Sequence, residues 1–183
     1  MVTVAVGLGA GMVGTTMASA LPVSFAVAGR SFQVSADSLH GEGAVQYAAF
    51  TRDSSGSSRP VAVAGIDSAR ITGLCQSSVT RTPFGAVTLL IRSRPDTPVD
   101  ARGLVIDLDN LEGNLRFGDV QLGRDAATLD AVAGVRGAEG AYGQQARTMD
   151  ITGMRLTSWS VTAGSFTLRG SRMFVRLGEH PCF

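Results

Sequence analysis

The 183-residue sequence predicts a mostly β fold, either an antiparallel sandwich or an elongated curved sheet, preceded by an apolar N-terminal helix. Apolar and polar residues alternate from Phe32 to Asp37, from Leu104 to Asp109 and from Ser158 to Thr162, as in strands with one buried face. The 23 glycines punctuate such stretches as turns or bulges. With 44% hydrophobic residues, the chain can bury one core, and we assign residues 21–183 to a single β domain.

The first element is an uncharged, apolar stretch from Met1 to Gly29. It contains Ala18-Ser19-Ala20, which fits the A-x-A motif of a signal-peptide cleavage site, so residues 1–20 are interpreted as a signal peptide. A membrane anchor and an ordinary buried helix are the alternatives, because the usual positive segment is missing. We expect a mature chain that begins near Leu21 and a secreted or cell-envelope location, with membrane association through residues 1–20 if they are retained.

Polar and proline-rich segments divide the β domain. Thr51–Pro60 is predicted as a loop between two strands, and Arg92–Asp100, with two prolines, as the link between two halves. The denser apolar runs Ala86–Arg92 and Arg172–Leu177 predict central strands. Gly123–Ala146 is predicted as a long loop that begins with helical turns and continues irregularly, and loops of this length are often functional or mobile.

A short pattern recurs in the two halves. Asp-x-Leu-x-Gly at 37–41 returns at 109–113, and Ile-Thr-Gly at 71–73 returns at 151–153. The order of the two motifs is preserved, and the distance along the chain between copies is similar for both. The pattern indicates an internal duplication, with chance similarity between glycine-rich strands as the alternative. The repeats would be residues 31–92 and 103–177.

The two cysteines, Cys75 and Cys182, agree with export. An even number of cysteines in an oxidising compartment predicts one disulfide, which here would close more than half of the chain into a loop and hold the C-terminus. Two unrelated buried thiols are the alternative. The absence of a C-x-x-C pattern argues against a redox or cysteine-rich zinc site.

The acids of residues 106–113 are the first candidates for chemistry. Asp107 and Asp109 would occupy positions 1 and 3 of an EF-hand loop, but Leu111 then stands at the ligand position 5 and Glu112 at the glycine position 6. On a strand the two aspartates share one face, opposite the apolar residues. We therefore interpret them as a solvated face and expect no metal site.

No pattern predicts catalysis or a cofactor. The four glutamates form no recognisable glycosidase pair, and no G-x-S-x-G pentapeptide is present. Neither His40 nor His180 has a partner acid that the sequence identifies. We expect a protein that is not an enzyme and has no cofactor.

Few residues of the sequence are candidates for contact with a ligand or partner. The basic residues are 16 scattered arginines, and the formal net charge is +1, so we expect no nucleic-acid partner. Trp159 lies in an alternating stretch, where most aromatics belong to the core. We name Gln144, Gln145 and Trp159 as candidate ligand or partner contacts.

Several stretches carry a resemblance to a known family. They are "SFAVAGRSFQVSADSLHGEGAVQYA", "LCQSSVT", "GLVIDLDNLEGNLRFGDVQLGRDA", "GQQA", "TSWSVTAGSFTL" and the terminal "PCF". Together they resemble a family of exported actinobacterial proteins of unknown function, over nearly all of the chain after about Pro22. Some members carry an automatic cholesterol-esterase label. The residues do not support it, because the G-x-S-x-G pentapeptide that holds the nucleophilic serine of α/β-hydrolases is absent.

The combined expectation is an exported, non-catalytic protein of the cell envelope that binds a lipid or another envelope component. A sheet with an apolar concave face can hold an acyl chain. The first alternative is a structural protein that assembles through strand pairing. The second, which the residues disfavour, is the esterase of the family label. The sequence leaves the oligomeric state open.

Overall fold

The computed structural model describes residues 29–183, so the predictions for residues 1–20 lie outside it. Within the described residues the mostly β, antiparallel prediction is confirmed, and nine strands form one continuous sheet. No helix in this part of the chain has the length and apolarity needed to cross a membrane. The strands are β1 Phe32–Arg52, β2 Ser58–Thr72, β3 Cys75–Thr82, β4 Gly85–Arg92, β5 Val99–Gly118, β6 Gln121–Asp125, β7 Tyr142–Thr162, β8 Ser165–Thr167 and β9 Arg172–Leu177.

The four longest strands pair in a closed ring. β1 pairs with β2, β2 with β5, β5 with β7, and β7 with β1, all antiparallel. Leu39 of β1 stands opposite Ile71 of β2 on one side and Ile151 of β7 on the other. All three side chains are almost fully buried, because alternate residues of each strand point into the ring. The interior of the ring is therefore filled by side chains.

Both copies of each repeated motif lie in the strands that form the ring. The first motif lies in β1 and β5, and the second lies at the end of β2 and within β7. The registers differ, however, since Leu39 of the first copy faces Ile71, whereas the equivalent Leu111 of the second copy faces Leu156 rather than Ile151. The duplication stays a prediction.

The predicted loop Thr51–Pro60 is shorter than expected. Its two ends continue the β1–β2 ladder, with Thr51 opposite Arg59 and Arg52 opposite Ser58. The turn is closed by Asp53, whose carboxylate accepts hydrogen bonds from the backbone amides of Ser55 and Ser57. Polar residues pair in the ladder here because both faces of a protruding hairpin can meet water.

The segment between β6 and β7 contains one short 3-10 helix, Ala126–Thr128, followed by irregular structure, as predicted, but it is shorter than the predicted loop because residues 123–125 belong to β6 and residues 142–146 to β7. It folds over β1 and β2 and forms a second, smaller core. Gly43 has a φ of 63°, and a Cβ there would come within 2.6 Å of the carbonyl oxygen of Ala131. Glycine therefore allows the loop to approach the strand closely. The buried members of this core are Val45, Ala126, Leu129 and Val132.

The remaining strands extend the ring. β6 pairs with β7, and β8 pairs with β5. β3 pairs with the start of β1, β4 pairs with β3, and β9 pairs with β4 at the end of the strand order. The prediction that Arg172–Leu177 is a central strand is therefore wrong, since β9 is an edge strand of the described sheet. Its apolar residues are not explained by burial in a sheet.

Candidate functional site

The strands β3, β4 and β9, with residues 75–94 and 170–183, form a lateral sheet beside the ring. The chain after β9, residues 178–183, turns back across one face of it as a tail. The predicted disulfide between Cys75 and Cys182 is present and joins the tail to β3. The backbone amide of Cys182 donates to Ser77 Oγ at 3.0 Å, and that of His180 donates to Thr88 Oγ1 at 3.0 Å.

The tail accounts for the buried polar groups of this face. Thr88 is fully buried and donates from Oγ1 to the carbonyl oxygen of Gly178 at 2.7 Å. Leu90, on the same face of β4, is also fully buried. Hydrogen-bonded burial of Thr88 is tolerated because both roles of its hydroxyl are satisfied. The centre of this face of the lateral sheet is thus covered.

On the opposite face, the part formed by β4 and β9 is apolar and uncovered within the described residues, whereas β3 contributes the polar residues Gln76, Ser78 and Thr80. Its apolar residues oppose one another in pairs across β4 and β9, and directly opposed residues share a face. The three β9 side chains are more exposed than their partners on β4, with Leu177 at 84%. At the tip of the β3–β4 hairpin Phe84 is fully exposed. We call this surface the apolar strip; it consists of Val87, Leu89, Ile91, Met173, Val175 and Leu177, together with Phe84 at the adjoining hairpin tip.

The hairpin tip that presents Phe84 has defined geometry. Thr82 Oγ1 donates to the carbonyl oxygen of Gly85 at 2.8 Å, and it accepts from the backbone amide of Phe84 at 3.2 Å. The φ of Gly85 is 118°, a conformation that other residues rarely adopt. The exposed ring therefore stands on a hydrogen-bonded turn.

Positive charge is concentrated in the same lateral sheet. Residues 75–94 and 170–183 contain five arginines and one glutamate, a side-chain balance of +4 (5 − 1), whereas the whole chain has +1. Arg92 and Arg172 stand directly opposite each other on β4 and β9, and neither forms a salt bridge within residues 29–183. Like charges in such a position are destabilising. Glu179 is paired with Arg81 at 2.8 Å.

A family model with the description "Family of unknown function (DUF6230)" matches residues 28–183. The chain belongs to this family. Among curated proteins and among solved structures, nothing matches. The DUF6230 match covers the whole described sheet, including the lateral sheet and its tail.

The structure of this DUF6230 chain places Trp159 beside a surface groove of about 410 Å³. The guanidinium of Arg59 lies 4.4 Å from the centroid of the indole ring, and Arg59 also donates to the carboxylate of Asp53 at 3.2 Å. Gln33 borders the groove, and its Oε1 atom is buried without a hydrogen-bond partner in the described part of the chain. Pro181 of the tail also borders it. Trp159 therefore lies on the tail side of the lateral sheet, apart from the apolar strip.

The two glutamines occupy opposite faces of β7. Gln144 donates to the side chain of Gln46 and accepts from the hydroxyl of Tyr142 at 3.3 Å. Gln145 Oε1 accepts from the backbone amide of Asp130 at 2.9 Å, and its Nε2 donates to the carboxylate of the same residue at 2.8 Å. The Gln145 amide thereby holds the long loop onto the strand. The second of these hydrogen bonds also lowers the pKa of the Asp130 carboxyl.

The structure gives His40 a partner that the sequence did not reveal. His40 Nδ1 lies 2.6 Å from Asp150 Oδ1 because the two residues are opposed on β1 and β7. Both side chains are about half exposed. No serine hydroxyl is hydrogen-bonded to His40 among residues 29–183, so the pair lacks the nucleophile of a hydrolase triad.

The acids of β5 lie where the alternation predicts. Asp107 is half-buried and accepts from Ser160 Oγ at 2.9 Å, and Asp109 is exposed. Glu112 accepts from the side-chain amide of Asn110 at 3.1 Å. Across the described residues, histidine, cysteine and carboxylate side chains form no group of three that could hold a metal ion.

Proposed function

We propose that this protein is a non-catalytic protein of the cell envelope that docks on anionic lipid surfaces through the lateral sheet. The observation that carries the proposal is the apolar strip, in which three opposed pairs of apolar residues lie on one uncovered face. Contiguous exposed apolar surface of this kind is typical of sites that contact proteins or membranes. The apolar residues 1–20 and the disulfide support the envelope location.

The positive charge of the lateral sheet favours an anionic lipid surface as its partner. The side-chain balance of the lateral sheet is +4, while the rest of the chain has −3 (1 − 4). A single sheet layer separates Arg92, Arg172 and Arg176 from the apolar strip, a distance on the order of the Debye length, which is about 8 Å at physiological salt. The strip would enter the boundary between headgroups and acyl chains, and the guanidinium groups would lie at the depth of the phosphates.

The ring is not the proposed lipid site. Its interior is filled by buried side chains such as Leu39, Ile66 and Val99, each at most 2% exposed. The proposed contact is therefore with a lipid surface, rather than with a single acyl chain enclosed by the sheet.

Vesicle flotation tests this proposal with a matched pair of variants of the full chain. Val175→Asp places a charge in the strip on edge strand β9, and Leu122→Asp places one on β6 at the other end of the strand order. The two side chains are 63% and 65% exposed, so both substitutions should leave the fold intact. Residues 1–28 are identical in both variants, so any vesicle binding through them contributes equally to the flotation of each.

We expect the wild type and Leu122→Asp to float equally with vesicles of phosphatidylglycerol and phosphatidylcholine. Val175→Asp should bind at least about ten-fold less, since withdrawing an apolar side chain from water is worth about 1.5–3 kcal/mol. Equal flotation of all three proteins would overturn the proposal. So would equal binding of the wild type to vesicles of phosphatidylcholine alone.

A further inference from the structure

We infer that two copies of this chain pair through β9, antiparallel and about a two-fold axis at Val175, so that their apolar strips become one continuous face. This inference goes beyond the proposed function and does not require a lipid. It begins from the free edge of β9, which no strand of residues 29–183 occupies. An edge strand with unpaired backbone groups is a template for another strand.

The backbone pattern identifies which groups of β9 are free. The amide of Gly178 donates to the carbonyl oxygen of Ala86 at 2.7 Å, so Gly178 forms a hydrogen-bonded pair with β4. Hydrogen-bonded and non-hydrogen-bonded pairs alternate along an antiparallel ladder. The amides and carbonyls of Met173, Val175 and Leu177 therefore point away from β4, toward the open edge.

Two registers would pair five residues of β9 with a second copy and keep the apolar residues on one face. One is centred at Phe174 and places Arg172 directly opposite Arg176 of the second copy. The other is centred at Val175 and places Arg176 opposite Phe174 of the second copy. Like charges opposed on a sheet are destabilising, whereas a guanidinium over an aromatic ring is favourable.

Arginine and phenylalanine already make this contact within one chain. The guanidinium of Arg176 lies 5.2 Å from the centroid of the Phe174 ring. In the register centred at Val175, Met173 also stands opposite Leu177 of the second copy, so apolar residues meet apolar residues. The register centred at Phe174 likewise places Met173 opposite Val175 of the second copy, so charge alone selects the register centred at Val175. The combined surface would be four strands wide, in the order β4, β9, β9 and β4.

Cysteine cross-linking tests the register. Directly opposed residues of a hydrogen-bonded pair have Cα atoms about 5.5 Å apart, which is within the range that a disulfide spans. In Val175→Cys the new cysteines of two copies would be opposed at the axis. In the control Leu89→Cys they would be three strand spacings apart, about 14 Å, on the same face.

We expect Val175→Cys to form a covalent dimer under mild oxidation in lipid-free, detergent-free solution, at least ten-fold faster than Leu89→Cys. Cross-linking of Phe174→Cys in preference to Val175→Cys would overturn the register. Equal, slow cross-linking of all three, with a monomer in light scattering of the wild type, would overturn the pairing itself.

Proline at position 175 separates this inference from the proposed function. Val175→Pro removes an amide that points away from β4, and it keeps an apolar side chain, so the β4–β9 ladder is retained. We expect this variant to be monomeric in light scattering while it still floats with anionic vesicles. A Val175→Pro protein that remains dimeric would show that the copies pair through another surface, and would contradict the β9 dimer while leaving the lipid site supported.

Discussion

Leu89 and Val175 stand directly opposite each other on β4 and β9, and both side chains are exposed, Leu89 at 39% and Val175 at 63% of their surface. The other face of the same sheet is covered at its centre by the disulfide-linked tail. Because both residues lie on the exposed face of β4 and edge strand β9, burial in the core does not explain why they are apolar. Their placement favours a binding role for the lateral sheet.

Phe84→Ser should weaken the binding of anionic vesicles without changing stability. The ring is fully exposed in the free protein, so its removal costs the fold little, whereas its transfer into the lipid boundary is worth about 1.5–3 kcal/mol. We expect about a ten-fold or greater loss of partitioning in a vesicle sedimentation assay. Phe50→Ser is the matched control, because Phe50 is 76% exposed at the end of β1. An equal loss in both variants would contradict a specific role of the strip.

Arg172→Gln should weaken binding to anionic vesicles without lowering the free energy of unfolding. It removes a like charge opposite Arg92, so the free energy of unfolding should be unchanged or higher by roughly 0.2–1 kcal/mol. Binding to anionic vesicles should fall about five-fold, since one basic residue at such a surface contributes about 1 kcal/mol. Arg116→Gln on β5 is the control and should leave binding unchanged. A stability loss with unchanged binding would contradict the assigned role of Arg172.

Removal of the disulfide should release the tail from the lateral sheet. The bond joins cysteines with a sequence separation of 107, for which chain entropy in the unfolded state gives a stabilisation of roughly 4–5 kcal/mol. Denaturant unfolding of the oxidised protein and of Cys75→Ser/Cys182→Ser measures the difference. Hydrogen exchange at the amides of residues 180 and 182 should rise in the variant, because these amides donate to Thr88 and Ser77 in the oxidised form. Unchanged exchange at both amides would show that the tail is held without the bond.

Much of the fold could be predicted from the sequence, because the ring strands carry a plain alternation with one buried face. Arg172–Leu177 was misleading because apolar content alone cannot distinguish a central strand from an exposed edge. The basic character of the lateral sheet also escaped prediction, since its arginines come from two segments that lie far apart in the chain. The scarcity of acids in residues 75–94 and 170–183 was the available signal.

The candidate side chains were predictable only in part. Trp159 lies at a groove, but its contact with Arg59 depends on a turn that the strand alternation does not specify. The pairing of His40 with Asp150 depends on the register of two strands distant in sequence, which no local pattern records. The hydrogen bonds of Gln145 to the long loop likewise arise from tertiary folding.

Asp53 should make stability depend on acid pH. Hydrogen bonding, first from the hydroxyl of Ser55, lowers the pKa of the Asp53 carboxyl from 3.8 to about 2. Because the folded-state pKa is lower than the unfolded one, the contribution is complete above about pH 4 and is lost as pH falls toward 2. Asp53→Asn should remove this part of the pH dependence and alter the fluorescence of Trp159, through Arg59. Identical pH profiles for Asp53→Asn and the wild type would contradict the assignment.

We expect the apolar strip to enter the lipid surface, and depth-dependent fluorescence at position 177 measures whether it does. An environment-sensitive fluorophore is attached to Leu177→Cys, and to Leu122→Cys as the control, with the native disulfide kept intact. On anionic vesicles we expect a blue shift at position 177 and quenching by spin-labelled acyl chains, with neither effect at position 122. A probe at position 177 that stays in water while the protein is bound to the vesicles would show that the strip does not enter the lipid.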